Sequence, residues 1–575
     1  MATFRPPRWP SLPADARLLI RDVPIIFAGI ALLYGLLSLA RIWAAPVAPE
    51  LAIDLRPRAL PTYALYSVAR IAIAYILSLV FAIAYSYIAA HNRVAERLLI
   101  PLLDTLQSIP VLSFLPPVML AMIALMPTRQ IGLELGSILL IATGQVWNMA
   151  FSAYSSMKTV PQDLSEATTA FRLGRWQTFT ELELPFSAIG LVWNSVMSVA
   201  GGWFFLMACE MFVLGNRDLR LPGLGSYLQT AANAGDLRAM GWGLLTMVTV
   251  IVLLDQVVWR PLIAWSQKFK FEQVEASETI GSPVLELIRR SRLLQWLSQR
   301  IATPASEWLA RRSANEANTP RPPMSRAGRW MGGAAVVIAA VVVAYAGFRI
   351  IATLGTLTRA QVLDLARGAG ATFLRVELAL ALSALWTIPV GVYIGLRPRL
   401  ASVTQPLAQI AASVPATALF PIIILMLVRS GGGLGLGSIL LLMLGTQWYV
   451  LFNVIAGASA IPADLREVCD TFHLSRGERW RRLLLPGIFP FLITGLVTAS
   501  GGAWNASVVA EYFRFRGQTM STVGLGAIIS RATDQGDFAV LVGATVLMAA
   551  IVVTVNRLVW RRLYALASTR FSLQA

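Results

Sequence analysis

Leu65–Ala90 and Ile131–Met157 are apolar runs that hold one charged residue each, Arg70 and Glu134. A helix needs about 20 such residues to cross a bilayer, where every backbone polar group must be satisfied within the segment. Twelve runs of this kind follow one another, at 23–43, 65–90, 99–126, 131–157, 186–213, 240–265, 331–351, 372–396, 403–428, 436–459, 487–511 and 538–560. No soluble core hides that many. Composition agrees, with 56% hydrophobic and 14% charged residues, against about 25% charged in soluble domains. An all-α membrane protein of about twelve transmembrane helices is expected.

The formal charge of +18 is explained by where it lies. With a cytoplasmic N-terminus, the inner segments hold most of the 48 Lys+Arg, as the positive-inside bias requires. The charge therefore reads as topology, with both termini cytoplasmic. The lipid bilayer is the expected partner and nucleic acid is not. Arg5, Arg8, Arg17 and Arg21 precede the first run without an obvious cleavage site, so an uncleaved first span is expected. Two cysteines, Cys209 and Cys469, and two histidines supply neither a disulfide framework nor metal-site spacing.

The chain is a tandem duplication. A shift of 301 residues lays Gly136–Leu140 on Gly437–Leu441, Asp163 on Asp464, Glu166 on Glu467, Leu184-Pro185 on Leu485-Pro486, Trp203 on Trp504 and Glu210 on Glu511. Upstream the shift is 305 and pairs Arg70 with Arg375 and Ser108-x-Pro110 with Ser413-x-Pro415. Six spans per copy, an even number, make the copies parallel repeats with a pathway expected at their interface. The expected domains are 1–266 and 331–575, joined by an Arg-rich cytoplasmic linker, 267–330.

Between the fourth and fifth spans of each copy lies a cytoplasmic loop, 160–185 and 461–486. Asp163-x-x-Glu166 and Asp464-x-x-Glu467 have the spacing of a capping box, with Asp in place of Ser or Thr. A short helix is expected to follow, with Leu164, Ala167, Ala170 and Phe171 on one face, and Leu-Pro to close the segment. Such a helix can pack on its own bundle, lie in the headgroups or fill a groove on a partner. The residues alone leave these three open.

The loop resembles the EAA motif of ABC importer permeases, which is Glu-Ala-Ala, then a Gly, then Leu-Pro. Glu166 to Pro185 and Glu467 to Pro486 keep the family's separation, and Ala167 follows Glu166. The Gly position departs, being Arg172 in one copy and His473 in the other, although Gly174 follows shortly in the first. The second Ala is Thr168 or Cys469. The wider chain is similar to the nitrate/sulfonate/bicarbonate (taurine-type) branch, through Ser-x-Pro in the third span and the runs Gly201–Glu210 and Gly502–Glu511. The resemblance implies two fused permease domains of the type I importer, MetI-like fold in a bacterial cytoplasmic (inner) membrane. It also implies two copies of an ABC ATPase docked on the loops and a periplasmic or lipid-anchored substrate-binding protein. The implied substrate is a small anion or polar organic molecule.

No G-x-x-x-x-G-K-[ST] occurs, and the lysines are Lys158, Lys268 and Lys270. ATP and Mg are therefore expected on the partner ATPase, with no catalytic residue, metal or cofactor in this chain. A secondary transporter with parallel repeats, driven by an ion gradient, is the alternative. It needs ion-coupling groups inside the membrane. Glu210 and Glu511, near the outer ends of the fifth spans beside Trp203 and Trp504, suit either a gate or structural pairs with Arg70 and Arg375. Asymmetry between the copies marks pathway candidates. Gln145 and Asn148 face Thr446 and Tyr449 in the register, with Gln447 one position on, and Phe204 faces Asn505. Pro110 and Pro415 are expected to break the third spans, and Asp104 is a local cap or pathway group. Gly201-Gly202 and Gly501-Gly502 are expected to permit close helix approach.

Overall fold

The computed structural model describes residues 52–126, 128–171, 173–214, 217–269, 283–290, 347–429, 433–515 and 518–570, with a few isolated positions between 295 and 345. The first apolar run, nearly all of the linker and most of the seventh run lie outside the described residues, as do Arg172 and the side chain of Asp104. Among the described residues, eight helices are long and apolar enough to cross a membrane. They are Pro57–His91, Gln130–Lys158, Arg175–Glu210, Leu237–Phe269, Arg359–Gly395, Leu434–Ser459, Arg476–Ala510 and Phe538–Ala567. Their outward faces carry large apolar side chains, such as Ile76 and Val80 at 59% and 62% exposure, which only lipid can cover at that density. The chain is a multi-pass membrane protein.

The third span of each copy is a broken helix. In the first copy Arg93–Ser108 stops, a 3₁₀ turn forms at Val111–Phe114 and Leu115–Leu125 resumes. In the second, Pro398–Ser413 is followed by Ala416–Arg429. The break sits on the residue before proline, Ile109 with ψ 129° and Val414 with ψ 115°. Proline's Cδ crowds the preceding residue out of the α region.

Contacts divide the chain into two compact units, Met1–Ala45, Ser152–Val196 and Leu253–Pro323 in one, and Pro46–Phe151, Met197–Val252 and Met324–Ala575 in the other. In the larger unit, helices Arg359–Gly395, Leu434–Ser459 and Leu485–Ala510 pack most extensively on one another. Small residues make this possible. A Cβ on Gly395 would stand 2.6 Å from the Ile455 carbonyl oxygen, and Ser459 Oγ donates to the Gly395 carbonyl at 3.0 Å. The first copy uses serines instead, Ser78 and Ser86 donating to the carbonyls of Ala142 and Ala150 at 3.0 and 2.7 Å. The paired glycines meet the expectation of close approach only in part. Gly202 touches Gln145, while a Cβ on Gly201 or Gly501 would meet nothing within 4 Å.

Each fifth span ends in a two-stranded antiparallel hairpin, Val213–Leu214 with Arg217–Asp218 and Tyr512–Phe515 with Gln518–Ser521. A short helix then begins after Gly223 and Gly524, Leu224–Ala234 and Leu525–Gln535.

Candidate functional site

The loop helices run Gln162–Ala170 and Ala463–Thr471, with Pro161 and Pro462 as N-caps and no side-chain cap. Asp163 and Asp464 thus sit inside the first turn, and the capping box expected of them with Glu166 and Glu467 does not form. The reason is the preceding proline, whose fixed φ of −56° and absent N–H start the helix two residues early. The aspartates instead complement the positive N-terminal end of the helix. A capping box appears one helix later in the second loop. Glu478 N–H donates to Ser475 Oγ at 3.3 Å, and Ser475 N–H donates to Glu478 Oε2 at 3.1 Å. At the matching place in the first loop, Gly174 N–H donates to Gln177 Oε1 at 3.0 Å.

The end of the second loop's helix explains its departure from the motif at His473. Leu474 N–H donates to the Cys469 carbonyl and His473 N–H to the Asp470 carbonyl, both at 3.0 Å. Leu173 N–H donates to the Thr168 carbonyl at 2.9 Å in the first loop. This is the Schellman ending, whose residue after the C-cap adopts left-handed φ and is usually glycine. His473 holds that place with φ 47°. In the second loop the place that the motif gives to glycine is therefore a helix stop, filled by His473. Arg479 pairs with Asp470 and ties the second loop's two helices together.

Leu184-Pro185 and Leu485-Pro486 do not close the loops as expected. Each helix runs on through them into the fifth span, Arg175–Glu210 and Arg476–Ala510. A π turn at Phe179–Glu183 or Trp480–Leu484 immediately precedes. The wider turn accommodates a proline that has no N–H and would clash with the carbonyl four residues back. Asp163, Glu166, Asp464 and Glu467 are exposed, and Phe171 and Phe472, at matching positions, are 79% and 73% exposed.

At the other ends of the fifth spans, Glu210 and Glu511 are fully buried. Arg70 Nη1 donates to Glu210 Oε1 at 2.7 Å and to the Pro222 carbonyl at 2.8 Å. Ser67 Oγ donates to the same Oε1 at 2.7 Å, and Gly225 N–H donates to Glu210 Oε2 at 2.7 Å. The second copy repeats the set. Arg375 Nη1 and Thr372 Oγ donate to Glu511 Oε1, and Gly526 N–H donates to Oε2 at 2.8 Å. A Cβ on Gly223 or Gly524 would fall 2.3 or 2.1 Å from the carboxylate, so glycine is required for the close approach. Sequence reading missed one member. Glu134 receives Arg70 Nε and Nη2 at 2.6 and 2.8 Å, while its counterpart is Gly435. The available signal was a lone base in the second span and a lone acid in the fourth.

The fifth spans also meet a cavity of about 90 Å³. Matching residues line it from both copies, Gly201, Phe204 and Phe205 from the first and Gly502, Asn505 and Ala506 from the second. Trp448, Tyr449 and the Val414-Pro415 break complete the wall. Asn505 Oδ1 accepts from Leu112 N–H, in the broken third span of the first copy, at 3.3 Å. Of the other pathway candidates, Trp203, Trp504, Gln145 and Gln447 are buried outside the lining, and Asn148 is exposed. The Gln145 amide and Trp504 Nε1 have no hydrogen-bond partner among the described residues.

The profile of the family described as "Binding-protein-dependent transport system inner membrane component" matches residues 74–258 and 387–572, more than half of the chain and one match per copy. The chain belongs to this family. Among family relatives, a bicarbonate transport system permease protein of Synechococcus elongatus is 25% identical over 33% of this chain and 65% of its own length. A nitrate import permease protein of Leptolyngbya laminosa is 27% identical over 33% of this chain and 64% of its own. For a taurine transport system permease protein of Escherichia coli the figures are 28%, 28% and 56%. The chain covers less than two thirds of each of these relatives.

Proposed function

We propose that this chain is the membrane subunit of an ATP-driven importer, forming a substrate pathway between two fused permease halves. The observation that carries the reading is the loop module. In both copies a short helix with exposed acids and an exposed phenylalanine is followed by a helix continuous with the fifth span. A protein seated on 160–185 or 461–486 thereby moves a fifth span directly, without a flexible joint. Two copies of a separate ABC ATPase, binding ATP and Mg, dock on these loops. Their closure rocks the halves between inward- and outward-facing states. Both termini then lie in the cytoplasm, and a periplasmic or lipid-anchored binding protein delivers substrate on the far side.

In the same reading, the cavity between Phe204 and Asn505 is a narrow point of the pathway, and Glu210 and Glu511 are structural anchors that hold the hairpin against the fifth span. The relatives' names support a small anion or small polar organic substrate. The test is reconstitution with a candidate ABC ATPase, followed by Glu166→Ala and Glu467→Ala together with loop deletions. ATPase association and ATP-driven uptake should both fall. Unchanged values would refute the coupling role, and uptake driven by an ion gradient alone would replace it with secondary transport.

A further inference from the structure

At the end of the second copy opposite loop 461–486, a cavity of about 360 Å³ opens between the start of helix Arg359–Gly395 and helix Leu525–Gln535. That volume is in the range of small-molecule sites. The repeat register shows what occupies the equivalent place in the first copy. Gly368 and Ile528 correspond to Tyr63 and Tyr227, whose buried rings lie 6.1 Å apart. Tyr63 Oη accepts from Asp54 N–H at 3.0 Å and Tyr227 Oη donates to the Leu55 carbonyl at 2.9 Å. The first copy thus places two tyrosine rings here, while in the second Ile528 lines the cavity and covers Gly368, its Cδ1 lying 2.6 Å from where a Cβ would stand.

The lining also gains charge. Arg367 and Arg531 stand where the first copy has Thr62 and Thr230. Two acids share the wall, and neither pairs with Arg531. Asp537 Oδ1 accepts from Val540 N–H at 3.1 Å and its Oδ2 accepts from Gln361 Nε2 at 3.2 Å, and Asp364 lies 4.0 Å from Arg367. Arg531 has no ion pair among the described residues. Its exposed guanidinium thus lines the cavity free to take a ligand, although the wall as a whole balances two arginines with two aspartates.

We infer that this cavity binds a small organic anion, a carboxylate or sulfonate, with Arg531 as its main counter-charge and Arg367 at its rim. Guanidinium forks match such oxygens in pairs. The site adjoins the buried Arg375–Glu511 pair. Arg375 Nη2 donates to Thr522 Oγ and the Val523 carbonyl at 3.2 and 3.1 Å, and both residues line the cavity. An anion seated here therefore touches the segment that the fifth span's outer end holds. The topology in the proposed function puts this site on the side where substrate arrives, and the inference rests on that reading for its placement only.

The test is calorimetric titration of the full chain, alone in phosphatidylcholine nanodiscs, with propanesulfonate and butyrate as probes and choline as the cationic control. Saturable binding of the anions and none of choline is expected. Arg531→Ala should weaken it about tenfold or more, with partial recovery in Arg531→Lys. Ile528→Tyr, which installs the first copy's ring, should abolish it, and Thr230→Ala should leave it unchanged. No saturable anion binding by the wild type overturns the inference, and so does Arg531→Ala binding within about twofold of it. No ATPase is present, so the assay is independent of coupling. A chain that imports normally but fails to bind refutes the site alone, and one that binds but shows no ATP-driven uptake refutes the importer reading alone.

Discussion

Replacing Glu511 with glutamine keeps the shape of its side chain and removes the carboxylate paired with Arg375. The new amide can still accept from Arg375 and Thr372 through its oxygen, but its NH₂ group then faces Gly526 N–H, donor against donor. Glu210→Gln creates the same conflict with Gly225 N–H. An unsatisfied buried donor costs about 1–3 kcal/mol, and that cost is common to both variants. The difference lies in the arginine left behind. Arg70 keeps two short bonds to Glu134, at 2.6 and 2.8 Å. Arg375 keeps no carboxylate, and a buried charge stripped of its partner costs about 3–5 kcal/mol in all. Its side chain is 10% exposed, against 0% for Arg70, which places the expected loss at the lower end. Glu511→Gln should thus destabilise the chain about 1–2 kcal/mol more than Glu210→Gln. Equilibrium unfolding in mixed SDS micelles, followed by tryptophan fluorescence, measures both. The Arg375→Met/Glu511→Gln double variant should recover part of the loss. Equal costs for the two single variants, or no recovery in the double, would refute the argument.

Gly524→Ala puts a Cβ 2.1 Å from Glu511 Oε2 and should abolish folded yield, whereas Gly501→Ala meets nothing within 4 Å and should retain it, by size-exclusion chromatography. His473→Gly relieves a left-handed residue with φ 47°. It should gain up to about 1 kcal/mol locally, seen as slower hydrogen exchange at the Leu474 amide, and faster exchange would contradict the helix-stop assignment. Asn505→Leu removes the acceptor of Leu112 N–H and should cost about 1 kcal/mol in the same unfolding assay. Phe204→Ala enlarges the cavity beside it and should raise solute leak in ATPase-free vesicles, and an unchanged leak rate would remove Phe204 from the pathway.

The spans, the duplication and the loop positions were legible because each rests on a pattern long enough to average out local exceptions. Hydropathy runs and a register of polar, Gly and Trp residues survive single substitutions. Details set by one residue's backbone were not legible in that way. Pro161 and Pro462 moved the helix starts, so Asp163 and Asp464 lost the capping role that their spacing suggested. Ser475-x-x-Glu478 has the better box, one helix on within the same loop, because no proline precedes it. Glu134 was passed over because comparison of the copies highlights what they share, and Gly435 shares nothing with it. The register placed Glu210 and Arg70 in equivalent positions with Glu511 and Arg375, but only the fold brought each acid onto its base.

A transporter assembled from two identical subunits must present every feature twice, so any change is tested on both sides at once. Covalent fusion removes that restriction. Glu134 opposite Gly435, and Tyr63 opposite Gly368, are differences that a single gene for one half cannot encode. The first half accordingly carries a second carboxylate at one place and two tyrosine rings at the other, while the second carries neither and has a cavity beside Ile528. Equivalent positions in the two halves should therefore tolerate different substitutions. One half can serve as the rigid frame while the other accumulates change.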